Sequence, residues 1–121
     1  MTEKELFIEE LKKRTRKFAA DIILFCDTLI PGKASSVITY QLVKASTSTG
    51  ANYRAACRAR SKSEFFSKIC IVVEESDESV YWLEIIDEAN LSEDRKELHR
   101  LLQEATEITK IMTSIKKNLN K

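Results

Sequence analysis

The 121-residue chain suits one domain, and its 43% hydrophobic residues can fill a core. Twenty basic residues against nineteen acidic ones leave a net charge of +1, so there is no bulk pull toward nucleic acid, and any such binding needs a local basic face. Two glycines and one proline, with 32% charged residues, argue for long helices over sheets.

The first predicted helix runs from Thr2 to Thr28. Thr2 and Glu5 have the spacing of a capping box, and Phe7, Leu11, Phe18, Ile22, Phe25 and Leu29 fall on one stripe at 100° per residue. Pro31-Gly32 then breaks the chain. The second helix is predicted from Ser36 to Arg60, with a small, polar stripe of Ile38, Leu42, Ser46, Thr49, Tyr53, Ala56 and Cys57. Small residues let helices approach closely, and Ser or Thr can bond back to the carbonyl four residues earlier. Gly50 lies inside this helix, where it costs about 1 kcal/mol against Ala.

The third helix is predicted over Lys62 to Ala89. Ser61 and Glu64 repeat the capping spacing, and the main stripe is Phe65, Phe66, Ile69, Val72, Val73, Val80 and Leu83. The fourth runs from Glu93 to Asn118, with Ser92 as its cap. Leu98, Leu101, Leu102, Ala105, Ile108, Met112, Ile115 and Leu119 make one clean stripe. Acidic residues crowd its start, and Lys116, Lys117 and Lys121 its end, the order the helix dipole favours. Four helices of about 25 residues joined by short connections imply an all-α, antiparallel, up-down-up-down four-helix bundle, a single domain over residues 1–121.

The third helix carries more apolar surface than one bundle face needs. Ile71, Trp82 and Ile86 are expected on the side away from Phe65 and Ile69, as an interface with another copy. Arg54 and Arg58 of the second helix lie well short of Glu74, Glu75, Asp77 and Glu78 in an antiparallel hairpin. Ion pairing across a subunit boundary is the alternative, and it would set the register of the partner.

Three blocks carry a family resemblance: Ser46-Thr-Ser-Thr-Gly-Ala-Asn-Tyr-Arg54, Ser61-Lys-Ser-Glu-Phe-Phe-Ser-Lys68 and Tyr81-Trp-Leu-Glu-Ile-Ile86. Together they resemble the four-helix-bundle family of 23S rRNA intervening-sequence proteins, with motif detail over about residues 40–90. The resemblance implies an antiparallel bundle assembled as a ring-like homopentamer, with no known catalytic activity. A relative, the accessory variability determinant of diversity-generating retroelements, is a basic pentamer that binds a reverse transcriptase and nucleic acid. The partners implied are thus further copies of the chain, and RNA, DNA or a nucleic-acid-handling protein. Ala55 and Glu74 depart from the pattern, where many members have Glu and Lys. The second change makes Glu74-Glu75-Ser76-Asp77-Glu78 strongly acidic, which weighs against nucleic acid at that surface.

Lys12, Lys13, Arg14, Arg16 and Lys17 wrap the polar side of the first helix. They read either as a phosphate-tracking patch or as a solvated face, with no interleaved aromatic residue for base stacking. The one histidine, His99, and the scattered Cys26, Cys57 and Cys70 complete no ordinary zinc site. The cysteines are expected to be reduced, buried small hydrophobes in a cytoplasmic protein. No signal peptide, membrane span, P-loop or nucleophile elbow is evident. No catalytic residue, cofactor, metal or small-molecule substrate is expected. The expected function is a non-enzymatic, self-assembling scaffold or binding protein; the alternative is an enzyme or metal carrier built on carboxylates inside the bundle.

Overall fold

The computed structural model describes residues 1–119 and contains α1 (Glu3–Cys26), α2 (Lys33–Cys57), α3 (Lys62–Glu88) and α4 (Arg95–Leu119). Each helix packs on its two neighbours, while no Cα atoms of either diagonal pair come within 8 Å, so the bundle is four-cornered. Packing is densest between α2 and α3 and sparsest between α1 and α4.

Local chemistry sets the ends. Thr2 and Glu5 form the full capping box of α1. Ser61 accepts the Glu64 amide at 3.0 Å, while the Glu64 carboxylate accepts from the Arg60 amide. Helix α4 starts two residues later than expected: Asp94, not Ser92, accepts the Glu97 amide at 3.1 Å, and Ser92 is buried in the turn, donating to the Asp94 carbonyl. Helix α3 ends on Asn90, in the left-handed region at φ 54°. There the Leu91 amide reaches the Ile86 carbonyl and the Asn90 amide that of Asp87, the paired bonds of a Schellman ending. The Ile30 amide donates to the Leu91 carbonyl at 2.9 Å, which ties the two loops at this end of the bundle together.

Most of the expected stripe of α4 is core: Leu98, Leu101, Ala105, Ile108 and Met112 are buried, while Leu102 and Ile115 are half-buried and Leu119 is exposed. Two other stripes need correction. Phe7 is 49% exposed, because it lines an open groove at this end of the bundle instead of closing against the core. On α3 the buried line is Ile69, Val72, Ser76, Ser79, Leu83 and Ile86. It passes through two serines, so Ile86 is fully buried within its own chain and is not free for an interface, while Val73 and Val80 sit only partly covered on the flank.

Among the described residues the polar groups of the interior are hydroxyls, apart from the Cys26 thiol and the enclosed Trp82 Nε1. The buried polar residues are all Ser or Thr. Thr15, Thr49 and Ser79 each donate to the carbonyl four residues earlier, at 3.0, 2.9 and 3.0 Å, which satisfies them inside their own helices. Cys26 is buried, but Cys57 and Cys70 are half-buried; all three are free thiols.

Candidate functional site

Helix register brings surface charges together in ways that one helix alone does not show. Across the α1–α4 seam, Arg14 holds Glu104 through two bonds of 2.8 and 2.6 Å and reaches Glu107 at 3.5 Å. Arg100 bonds Asp21 at 3.0 Å, and Lys17 meets the same carboxylate at 2.8 Å. Lys12 pairs with Glu9 at 3.2 Å. Of the five cations expected to track phosphates, then, Lys12, Arg14 and Lys17 are engaged by carboxylates, and only Lys13 and Arg16 stand exposed without an ion pair among the described residues. The Asp21 carboxyl shows the same balance: burial pushes its pKa up, but hydrogen bonds from Lys17 and Arg100 outweigh that and hold it below its ordinary value.

A groove of about 460 Å³ runs between α1 and α2. Lys12 and Arg16 line one wall, Arg54 and Arg58 the other, with Glu9 the single carboxylate. Small residues, Thr15, Ala19, Thr47, Gly50 and Ala51, make up the rest of its lining. Arg54 and Arg58, named from sequence for an interface, and Arg16, named for a nucleic-acid patch, thus share one site. Neither α1 nor α2 read alone reveals it, because each supplies one wall.

The outward face of α2 and α3 is apolar at the end where the loops are tied. Val37, Tyr40 and Tyr81 are 62%, 65% and 52% exposed. The hairpin turns between Cys57 and Lys62, and Lys44 faces Glu75 across it; that register sets Val37 level with Trp82. The Tyr81 and Trp82 rings meet edge to face with centroids 5.1 Å apart. Trp82 itself is half-buried, and its Nε1 is enclosed without an acceptor among the described residues. Ile71 is half-buried on the same flank. Below Tyr81, the exposed Glu74, Asp77 and Glu78 make no ion pair among the described residues, and the carboxyl of half-buried Glu75 is raised by burial and by Glu78 and Glu74 beside it.

At the opposite end, a larger groove of about 780 Å³ is lined by Phe7, Ile8, Tyr53, Cys57, Phe65 and Ile115, among others. Burial pushes the Tyr53 hydroxyl above its ordinary pKa, as do Cys57 beside it and Glu9, and no histidine or buried carboxylate accompanies the pair. His99 is exposed on α4. Among the described residues no group of His, Cys, Asp and Glu is placed to hold a metal, and no helix is long and apolar enough to cross a membrane. The alternative of an enzyme or metal carrier calls for carboxylates inside the bundle, and among the described residues no Asp or Glu is buried.

The family model described as 23S rRNA-intervening sequence protein matches residues 9–114. A solved structure from Bacteroides thetaiotaomicron VPI-5482, described as a protein with unknown function from the S23 ribosomal protein family, is similar with a TM-score of 0.80. Its sequence is 31% identical, over 88% of this chain and 98% of that one. No curated protein matches. With four helices in the expected order and a family match across nearly all of them, the chain belongs to the 23S rRNA-intervening sequence protein family.

Proposed function

We propose that this chain is a non-catalytic scaffold that assembles with copies of itself through the outward face of α2 and α3. The observation that carries the reading is the cluster of Val37, Tyr40 and Tyr81, each more than half exposed, beside the half-buried Trp82. Clustered exposed aromatic side chains mark contact surfaces, and Tyr and Trp are the residues that most often dominate them. Ile71 and Trp82, both half-buried, would contribute only their exposed parts to this contact, and Val37, Tyr40 and Tyr81 take the role first expected of Ile86. A ring of five copies follows from the family resemblance alone.

Contact with RNA or DNA is the weaker reading. It draws on the family's name and on Arg16, Lys13 and the α1–α2 groove, and it is opposed by the pairing of Arg14 and Lys17 and by the acidic run on α3.

Native mass spectrometry and light scattering across a concentration series test the assembly. The wild-type chain is expected to form one discrete oligomer, and Val37→Glu with Tyr81→Glu to reduce it to folded monomers. A wild-type chain that stays monomeric at high micromolar concentration refutes the reading.

A further inference from the structure

Two sets of charges remain uncompensated in a single chain. On one side are Arg16, Arg54 and Arg58 in the α1–α2 groove, none of which makes an ion pair among the described residues. On the other are Glu74, Asp77 and Glu78 on α3, exposed and likewise without an ion pair. The two sets cannot meet within one molecule. Helices α1 and α3 lie diagonally across the bundle, with no pair of Cα atoms within 8 Å. Counting outward from the α2–α3 turn, Arg54 lies about 14 Å from Glu74 along the axis, at 1.5 Å per residue.

The surfaces also match beyond charge. Glu74, Glu78, Tyr81 and Ile85 are spaced i, i+4, i+7 and i+11, which sets them on one outward stripe, acidic below and apolar above. Lys12, Arg16, Ala19 and Ile23 have the same spacing on α1, basic below and apolar above, with Ile23 45% exposed. Both stripes run in the same direction, because α1 and α3 are parallel in an up-down-up-down bundle. Between the charged side chains the groove presents the methyl groups of Ala19 and Ala51 to a neighbouring helix.

We propose that the groove between α1 and α2 receives the acidic stripe of α3 from a second copy of this chain. This rests on the self-assembly reading and gives it a direction. Arginines on the groove walls take the carboxylates of Glu74 and Glu78 as charge-assisted hydrogen bonds. Tyr81 of that stripe falls toward the apolar end of the groove. Groove and stripe are different surfaces, so each copy offers its stripe to one neighbour and its groove to the next. Such a head-to-tail contact closes into a ring or runs on as a filament. A polyanion is the lesser candidate for the groove, because a chain of net charge +1 does not draw one in, whereas three unpaired carboxylates of the same chain are available at matching spacing.

A charge swap tests this. Arg54→Glu with Arg58→Glu reverses the groove, and Glu74→Lys with Glu78→Lys reverses the stripe; all four sites are exposed, and circular dichroism checks that each variant keeps its helices. Each reversal alone is expected to raise the half-dissociation concentration at least about tenfold. The two reversals combined in one chain are expected to restore it. If the groove reversal leaves dissociation within about twofold of wild type, or the combined chain fails to recover, the inference is overturned while a wild-type oligomer still supports the scaffold reading. A wild-type monomer fails both. A structured RNA hairpin is the control probe: binding that the groove reversal abolishes without changing the copy number assigns the groove to nucleic acid and overturns the seat for α3.

Discussion

Replacing Gly50 by Ala places one methyl group at the α1–α2 contact, and the structure fixes what that methyl meets. A Cβ at this position would lie 3.4 Å from Thr15 Oγ1 and 3.5 Å from the Thr15 Cβ and carbonyl carbon. Those are ordinary van der Waals distances, though with little to spare, since Thr15 is 1% exposed and its hydroxyl is committed to the Leu11 carbonyl at 3.0 Å. The helix-propensity gain of Ala over Gly is about 1 kcal/mol. A slightly tight fit takes back a few tenths, for a net stabilisation of about 0.5–1 kcal/mol. For a domain of this size that raises Tm by about 2–4 °C. Thermal and urea melts followed by circular dichroism measure it, at one protein concentration because self-association adds to apparent stability. Gly50→Leu overfills the same space and is expected to destabilise by about 1–3 kcal/mol. A loss of more than about 0.5 kcal/mol for the Ala variant would show that the two helices need a bare backbone at this crossing and refute the reasoning.

The two-bond Arg14–Glu104 pair, with side chains 36% and 22% exposed, is expected to show a coupling of about 0.5–1 kcal/mol in a double-mutant cycle with Gln at both sites; a coupling near zero would remove it from the forces holding α4 to α1. Asp21 and Glu97 both have depressed pKa values in the folded chain, Asp21 because the Lys17 and Arg100 hydrogen bonds outweigh burial, Glu97 chiefly through its hydrogen bond from Arg100. Their stabilisation is therefore present above the unfolded carboxylate values and lost as pH falls through the folded ones. Urea midpoints should hold from neutrality to about pH 5 and fall below about pH 4, less steeply for Asp21→Asn; identical profiles would refute the assignment. Burial pushes the Cys26 thiol up to about 11, so in native protein at mildly alkaline pH it should alkylate more slowly than Cys57 and Cys70, with equal rates for all three counting against its burial.

The parts of the fold legible in the sequence were those that one helix decides for itself. Pro31-Gly32 marks a break, Thr2 and Ser61 cap where spacing says they should, and the α4 stripe reads cleanly because nearly every buried position is a large aliphatic. Helix α3 misled for the opposite reason. A periodicity scan weighs apolar size, so the small buried Ser76 and Ser79 looked like surface, and the stripe rotated toward Val73 and Val80. That rotation carried Ile86 outward on paper and hid its burial. Asp94 displaced Ser92 as a cap because two capping residues lie within one turn, and sequence spacing does not choose between them. The groove was legible only as separate halves, since Arg16 and Arg54 come together through a helix pairing that neither helix encodes alone.

The uneven seams make the molecule a book with a spine. Helices α2 and α3 form the spine, α1 and α4 the covers, and the covers are clasped across a sparsely packed edge by Arg14 and Arg100. Added salt weakens a clasp of this kind far more than it weakens the apolar spine. Ionic strength therefore loosens the fore-edge first, and amide exchange should quicken along the facing sides of α1 and α4 while α2 and α3 stay protected. Breathing at the α1–α4 edge and partner contact, along α2 and α3 and on the side of α1 that faces α2, are in this way kept on different sides of the same small protein.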